Sequence, residues 1–347
     1  MLSAIFHAWE RRLAASTTDR VVRPFEWGLE WLAERRHSAQ PAPPADLIGE
    51  WVAEVMADTD AFYTPPPTSE YRLQALDDRE RMLTFPSAMT TPHAANNIVH
   101  ARLFPAKDRA AGAVHRPAVL VLPQWNADET GHVGLCRLLT MHGLTALRLS
   151  LPYHDKRMPS ELHRADYIVS SNIVRTLQVC RQAVLDARRA IAWLHLQGYD
   201  RIGILGSSLG SCLSLLTTAH EPLVRAQALN HISPYFADVV WRGISTAHVR
   251  EGLDGHIELD LLRQLWNPLS PANYLERLRT RRTLLVYARY DLTFPVDLSR
   301  ELVRQFKAQG IPHQVAVLRC GHYSTGKTPF KFIDGWILSR FLRDALA

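Results

Sequence analysis

Residues 201–216 read RIGILGSSLGSCLSLL, which is an apolar run, a serine with a glycine two positions away on each side, and a second apolar run. The first run predicts a buried β-strand and the second predicts a helix. Ser208 then lies at a sharp turn between them, where Gly206 and Gly210 relieve steric crowding. The adjacent Ser207 lacks a glycine two residues before it. The spacing therefore selects Ser208 as the candidate nucleophile, held in a strained conformation that exposes its hydroxyl.

Short apolar runs alternate with longer helical patterns from about residue 97 to the C-terminus. This alternation predicts a mostly parallel sheet flanked by helices. Residues 165–199 repeat apolar side chains every three or four positions, which predicts one long helix that closes near Gly198. The apolar runs that predict strands are PAVLVLP, TALRLSL, RIGILG, AQALN, TLLVYA and QVAVL.

Two polar residues follow predicted strands downstream of Ser208. Asp291 comes after TLLVYA and before a proline turn, and His322 lies in a glycine-bearing loop after QVAVL. Taken singly, an aspartate is a common turn former and a histidine is usually a surface or structural residue. Together, each beyond a strand, they suit nucleophilic catalysis, because a serine hydroxyl needs an imidazole to remove its proton and a carboxylate to orient that imidazole.

The order serine, acid, histidine, with GSSLG at the strand-to-helix turn, resembles the α/β-hydrolase superfamily over residues 97–347. The resemblance implies that Ser208 is the nucleophile, Asp291 the triad acid and His322 the general base. It implies no metal and no organic cofactor. LSLPYHDKRMP, the long helix, GSSLG and CGHYS are similar to the eighteenth numbered group of α/β-hydrolase-domain proteins, which act on lipids.

An oxyanion hole is the other feature that this resemblance implies. The backbone N–H of Leu209, at the start of the predicted helix, is the first expected donor. The second donor normally comes from a loop after an earlier strand, where many relatives carry His-Gly. Here Pro123 and Gln124 replace that pair, so we expect the backbone N–H of Trp125 to be the second donor. Trp125 is also a candidate packing aromatic, and the two roles are compatible.

Two segments outside the sheet are expected to be helical. Residues 1–60 predict an N-terminal helical extension interrupted by the proline-rich SAQPAPPAD, and residues from about 231 to 282 predict a helical cap inside the hydrolase domain of residues 97–347. For the aromatic residues of these segments, the alternative to substrate contact is packing in the core. Peripheral membrane contact is a further expectation for the N-terminal helices. Candidates for lining a substrate pocket are Phe236, Val240 and Trp241, the N-terminal aromatic residues, Tyr153 and His154.

Composition and charge argue against several other classes of protein. The 347 residues carry 40 Lys and Arg against 34 Asp and Glu, a net charge of +6, but the two signs are interleaved. Without a basic stripe and interleaved aromatics, we expect no nucleic-acid partner. We find neither a secretory signal nor a membrane-spanning stretch, so we expect a cytoplasmic protein. The cysteines lack the paired spacing of a zinc site or disulfide framework: Cys136, Cys180, Cys212 and Cys320.

Two functions of different classes remain open from the sequence. The first is a serine hydrolase that cleaves carboxylic esters through an acyl-enzyme, with lipid-like acyl esters favoured by the apolar cap; thioesterase, amidase and acyltransferase activities share that intermediate. The second is a non-catalytic binding or membrane-associated module that keeps the fold. The unusual PQWN loop favours the second function, and the order of the three polar residues favours the first.

Overall fold

The computed structural model describes residues 2–32, 42–106 and 115–347. In this part of the chain, nine strands form one sheet in the order β1-β2-β3-β5-β4-β6-β7-β8-β9. Neighbouring strands are parallel from β5 to β9, whereas β1, β2 and β3 add an antiparallel edge. The strands are β1 Arg72–Ala75, β2 Arg81–Pro86, β3 Ile98–Phe104, β4 Pro117–Leu122, β5 Thr145–Leu149, β6 Arg201–Ser207, β7 Val224–Asn230, β8 Arg282–Ala288 and β9 His313–Leu318.

Helices cover both faces of the sheet. Short 3-10 turns join some of them, including Leu29–Trp31 before α2 and Pro271–Leu278 before β8. The α-helices of the described residues are α1 Leu2–Ala15, α2 Pro44–Ala57, α3 Thr59–Phe62, α4 Val133–Met141, α5 Ile173–Leu196, α6 Leu209–His220, α7 Phe236–Arg242, α8 Ala247–Leu253, α9 Leu259–Leu265, α10 Val296–Ala308, α11 His322–Thr325 and α12 Phe330–Leu346.

The central strands are apolar on both faces because helices bury both. All six residues of β4 are buried. Ala118, Leu120 and Leu122 pack into the core that contains α5 and α6, whereas Val119 and Val121 pack into the core that contains α4 and α12. This alternation follows from the two-residue period of a strand, and continuous apolar runs are typical of parallel strands covered on both sides.

The predicted fold class is confirmed: the sheet is mostly parallel, and each of the six predicted apolar runs forms one of its strands. The long helix of the prediction is α5, residues Ile173–Leu196. The sheet begins earlier than the predicted domain start at 97, because β1 and β2 pair with β3. All four residues of β1 are exposed, so this edge strand carries no alternating pattern that the sequence could reveal.

The N-terminal region differs from the expectation at its proline-rich stretch. Residues 38–41 of SAQPAPPAD lie outside the described residues, but α2 begins at Pro44, inside that stretch. Proline suits the first turn of a helix because its missing N–H would have no intrahelical partner there. The predicted cap segment, 231–282, contains α7, α8 and α9. No helix in the described ranges is both long enough and apolar enough to cross a membrane.

Candidate active site

Ser208 occupies the turn between β6 and α6 in a backbone conformation that L-residues rarely adopt, with φ 56° and ψ −122°. The two flanking glycines make this turn possible. A Cβ on Gly206 would lie 2.1 Å from the carbonyl oxygen of Gly210, and a Cβ on Gly210 would lie 2.2 Å from the carbonyl oxygen of Leu122. Any larger residue would force the backbone apart, so the G-x-S-x-G spacing is a steric requirement of this turn.

Asp291 and His322 follow β8 and β9 and meet in space. The Nδ1 atom of His322 donates a hydrogen bond to Oδ2 of Asp291 at 3.0 Å. The other carboxylate oxygen accepts from the backbone N–H groups of Thr293, at 2.8 Å, and Phe294, at 2.7 Å. The Phe294 ring also stacks on the imidazole, with a centroid distance of 5.4 Å and an interplanar angle of 5°. Because Nδ1 donates to Asp291, the neutral ring keeps its lone pair on Nε2.

The Asp291 carboxylate is buried but stays ionised. Burial by itself raises the pKa of Asp291, but the charge of His322 and the hydrogen bonds from His231 and His322 outweigh it and hold that pKa well below its ordinary value. The group therefore remains an acceptor at neutral pH.

One cavity joins the candidate nucleophile and the two expected oxyanion donors, but Asp291 and His322 do not line it. Ser208, Leu209 and Trp125 line it, as does Phe294, the residue that stacks on His322. Its open space is about 510 Å³, counting the part continuous with solvent. Among the described residues, the Ser208 side chain has no hydrogen-bond partner in this structure, His322 included. Catalytic hydrogen bonds are often long in unliganded sites and tighten when substrate binds.

Solved structures resemble this architecture although sequence similarity is low. No protein-family model matches the chain, and no curated protein is significantly similar to it. An acetyl xylan esterase from Paenibacillus sp. superposes with a TM-score of 0.62 at 12% identity, over 90% of this chain and 97% of that one. Acetyl xylan esterase 1 from Thermoanaerobacterium sp. gives 0.59 at 15% identity, over 93% of this chain and 100% of that one.

An acylaminoacyl peptidase from Pyrococcus horikoshii gives a TM-score of 0.58 at 14% identity, over 80% of this chain. The matched region is 42% of the peptidase's length. The chain has the α/β-hydrolase fold. In parallel sheets of this kind, ligands bind outside the carboxyl ends of the strands. Ser208, Asp291 and His322 follow the carboxyl ends of β6, β8 and β9, so all three lie at that edge of the α/β-hydrolase sheet.

The loop that carries Trp125 is tied down by its neighbours. The indole Nε1 of Trp125 donates to the carbonyl of Ala165 at 2.9 Å, and the backbone N–H of Asn126 donates to Nε2 of His154 at 3.0 Å. Burial lowers the pKa of His154 to about 4, so the ring is neutral and Nε2 can accept. Tyr153 and His154 were expected to line the substrate pocket, but neither lines the cavity. Both side chains are buried, and His154 supports the Trp125 loop from behind.

The predicted cap contributes part of the cavity wall. Phe236 and Val240 line the cavity as expected, together with Val239. Trp241 does not; its ring instead lies beneath the guanidinium of Arg250, 4.4 Å from it. This difference follows from helical geometry, since Phe236, Val239 and Val240 are spaced i, i+3 and i+4 and share one face of α7, whereas Trp241 lies off that face.

The N-terminal aromatic residues do not reach the cavity in the described part of the chain. Phe6 of α1 stacks on Tyr290, and Phe25 packs edge-on against Trp27. On the same helix as Phe6, Leu2 and Ile5 remain exposed. Peripheral membrane contact through these helices stays a prediction.

His231 is a site residue that sequence analysis missed. It directly follows β7, has φ 58°, and donates from Nδ1 to the same Oδ2 of Asp291 at 3.0 Å. Its ring lies 4.5 Å from the His322 ring, and its buried Nε2 atom has no hydrogen-bond partner among the described residues. The available signal was its position, because His231 follows the run AQALN just as the other site residues follow their strands.

Ser207, the serine that the spacing rejected, has a different environment from Ser208. Its hydroxyl contacts Nε2 of His132 at 2.9 Å, and it does not line the cavity. Burial lowers the pKa of His132 to about 4, which keeps that ring neutral. Of the two adjacent serines, Ser207 contacts a histidine away from the cavity and Ser208 lines the cavity.

The cluster of His231, Asp291 and His322 also resembles a metal-binding set, because its ligand atoms all lie within 4.8 Å of one another. Both imidazole Nδ1 atoms, however, are placed as N–H donors to one carboxylate oxygen. A metal bound through these two Nδ1 atoms would need lone pairs there. The arrangement fits a doubly hydrogen-bonded carboxylate better than a metal site.

Proposed function

We propose that the protein is a serine hydrolase that cleaves carboxylic esters with uncharged, apolar acyl groups, with Ser208 as nucleophile, His322 as general base and Asp291 as the residue that orients it. The observation that carries this proposal is a strained serine on an apolar cavity whose wall includes Phe294, the ring that stacks on a histidine bonded to a buried carboxylate. The α/β-hydrolase fold supports it, because this fold places such groups at one edge of the sheet.

In the proposed reaction, Ser208 Oγ attacks the ester carbonyl carbon while Nε2 of His322 takes the hydroxyl proton. The resulting imidazolium keeps its Nδ1–H bond to Asp291, whose low pKa keeps the carboxylate negative. The tetrahedral intermediate then expels the alcohol, which takes the proton from Nε2. A water molecule, deprotonated by the same nitrogen, then attacks the acyl-enzyme. The bond from the acyl carbon to Ser208 Oγ breaks, Oγ takes the proton back from Nε2, and the acid is released. No metal or organic cofactor takes part in these steps.

The backbone N–H groups of Leu209 and Trp125 are the proposed oxyanion donors. Leu209 is the first residue of α6, so its N–H has no acceptor within the helix. Both residues line the cavity beside Ser208. The bonds from the Trp125 indole and the Asn126 N–H hold the second loop in place before substrate arrives, which is the pre-organisation that such donors need.

The cavity supports an ester with an uncharged acyl group. None of its lining residues in the described part of the chain carries a charge, and Leu209, Phe236, Val240 and Phe294 supply apolar wall. An apolar wall favours lipid-like acyl esters over charged peptides. Two of the solved structures matched over nearly their whole length are named as acetyl xylan esterases, whereas the peptidase is matched over 42% of its chain. These comparisons favour ester cleavage over peptide cleavage.

The proposal is tested by treating the wild type, Ser208→Ala and Ser207→Ala with a fluorophosphonate probe and with p-nitrophenyl acetate, butyrate and octanoate. We expect labelling and ester turnover in the wild type and in Ser207→Ala, and neither in Ser208→Ala. A folded wild type that neither labels nor turns over any of the three esters would instead support a non-catalytic binding module.

A further inference from the structure

A buried carboxylate from the N-terminal helix contacts the loop that carries His322. Glu10 lies in α1 and is completely buried. Its Oε2 atom accepts a hydrogen bond from the backbone N–H of Tyr323 at 2.8 Å. Its Oε1 atom accepts from the backbone N–H of Ser324 at 2.9 Å and from the Ser324 hydroxyl at 2.7 Å. Glu10 thus binds the two residues that follow His322, although it precedes them by more than 300 positions.

The same contact reaches the residue before His322. The backbone N–H of Gly321 donates to Oγ of Ser324 at 2.8 Å, and that hydroxyl donates to Glu10. The fit is close, because a Cβ on Gly321 would lie 2.2 Å from Cδ of Glu10. Glu10 therefore holds the backbone on both sides of His322, directly on one side and through Ser324 on the other.

Further contacts dock α1 and the segment after it against the site loops. The Phe6 ring stacks on Tyr290, the residue before Asp291, with a centroid distance of 4.6 Å and an interplanar angle of 8°. Beyond the helix, Arg20 donates to the Tyr323 hydroxyl at 2.8 Å. The N-terminal segment consequently contacts the loops of both the acid and the base of the proposed triad.

We propose that Glu10 is a positioning residue that sets the backbone around His322 and thereby places Nε2 for proton transfer with Ser208; this inference rests on the function proposed above. The bond to Asp291 and the stack on Phe294 restrain the imidazole, but the direction of its Cα–Cβ bond is set by residues 321–324. The Tyr323 and Ser324 N–H groups have Glu10 as acceptor. Buried donors that lose an acceptor incur a desolvation cost, so the loop would relax to find new partners.

Through Glu10, α1 then supports the position of His322 without touching the reacting atoms. A displacement of about 1 Å at a reacting group can lower a rate about a hundredfold. If α1 detached, Ser208, Asp291 and His322 would all remain, but the Glu10 contact that positions His322 would be lost.

The test compares Glu10→Gln with Arg11→Gln, a matched variant that removes an exposed charge from the next position of the same helix. Glutamine can still accept from Ser324 through its oxygen, but its amide group would turn N–H donors toward the N–H of Tyr323. We expect kcat for the acetyl or butyryl ester to fall at least tenfold in Glu10→Gln with KM within twofold. Arg11→Gln should keep the wild-type values.

A readout independent of activity separates this inference from the proposed function. The Nδ1 protons of His322 and His231 both bond to Asp291 and can be followed as downfield proton resonances, assigned by their loss in His322→Gln and His231→Gln. In Glu10→Gln we expect the His322 resonance to broaden or disappear while the His231 resonance persists. General loosening of the fold would affect both signals, and the Arg11→Gln control should affect neither.

A folded Glu10→Gln protein with an unchanged His322 resonance would overturn the inference, whether or not the wild type proves to be an esterase. If the wild type is active, an unchanged kcat would also count against it. If Glu10→Gln does not fold, Ser324→Ala takes its place, because it removes the link from Gly321 to Glu10 while keeping both direct backbone bonds. It should lower kcat severalfold and broaden the His322 resonance selectively; unchanged values would again count against the role of Glu10.

Discussion

The turn around Ser208, residues 203–212, and the loop around His322, residues 319–326, lie at the same edge of the sheet but are held by different parts of the chain. Around Ser208, the constraints are two glycines, the end of β6, the start of α6 and the backbone of adjacent strands. Around His322, they are side chains from distant positions: Glu10 on the backbone, and Asp291 and Phe294 on the ring.

This difference explains why a short sequence motif predicts the Ser208 turn, whereas no short motif predicts what holds the His322 loop. The Ser208 turn needs residues without a Cβ at fixed spacing, which leaves a pattern in ten residues. The His322 loop needs an acceptor from α1, and a single glutamate at position 10 has no local signature. Substitutions around Ser208 and around His322 should therefore have different effects on stability and on kcat.

Among variants that keep the proposed nucleophile and base, the largest expected effect is on the histidine side, with Asp291→Asn. The amide cannot accept from both Nδ1–H groups as the carboxylate does, and it cannot stabilise the imidazolium, so kcat should fall about 10⁴-fold. The turn around Ser208 should keep its structure, which near-UV circular dichroism would check. Ester turnover within tenfold of the wild type would show that His322 does not depend on Asp291.

The next effect is on the serine side, with Gly210→Ala. The new Cβ would lie 2.2 Å from the carbonyl oxygen of Leu122, and this overpacking should lower the free energy of unfolding by about 3 kcal/mol. Gly49→Ala in α2 is the matched control, since nothing lies within 4 Å of its added Cβ; it should stabilise by about 0.5–1 kcal/mol. Urea unfolding of both variants provides the measurement, and equal stabilities would contradict the steric account of the turn.

A smaller effect concerns Asp334 of α12, which accepts a hydrogen bond from the Asn230 side chain; the carbonyl of Asn230 in turn accepts from the Ser208 N–H. Burial raises the pKa of Asp334 to about 6. Because the folded pKa exceeds the unfolded value, the folded state binds more protons between about pH 4 and 6, so this group's contribution to stability is full below that window and is lost as the pH rises through it.

Asp334→Asn should remove that contribution while keeping an acceptor for Asn230. The variant's stability relative to the wild type should therefore rise by about 2–3 kcal/mol between pH 4 and pH 7, since one pKa unit corresponds to about 1.4 kcal/mol. Unfolding midpoints of both proteins across this range provide the comparison. A difference that stays constant with pH would mean that Asp334 does not titrate there.

The smallest effect is expected for His231→Gln. His231 supplies one of the two side-chain hydrogen bonds to Oδ2 of Asp291, and His322 supplies the other. Losing one such bond should cost about 1 kcal/mol, or about a fivefold fall in kcat. His322→Gln, which removes the proposed base, should abolish turnover in the same assay. Equal losses in the two variants would mean that the histidines share one role.

Much of the fold could be predicted because it depends on local patterns. The six predicted strands are short apolar runs, largely buried in β4 to β8 but with only one buried residue in the edge strand β9, and α5 has a clear helical period. The antiparallel strands β1, β2 and β3 were not predicted. Strand β1 is exposed at all four positions and has no buried face to leave a pattern, whereas β2 and β3 bury alternate residues, a signal that the prediction did not use. The cap residues were predicted only in part, since Phe236 and Val240 line the cavity while Trp241 turns away.

The sequence by itself determined the candidate serine, because a strained turn between a strand and a helix requires glycines at fixed distances along the chain. It also indicated Asp291 and His322, since polar residues after parallel strands collect at one edge of a sheet. Only the tertiary structure decided that they meet, that His231 shares the carboxylate, and that Glu10 holds the His322 loop. Those contacts join residues 31, 60 and 313 positions apart, and neither periodicity nor backbone sterics acts over such distances.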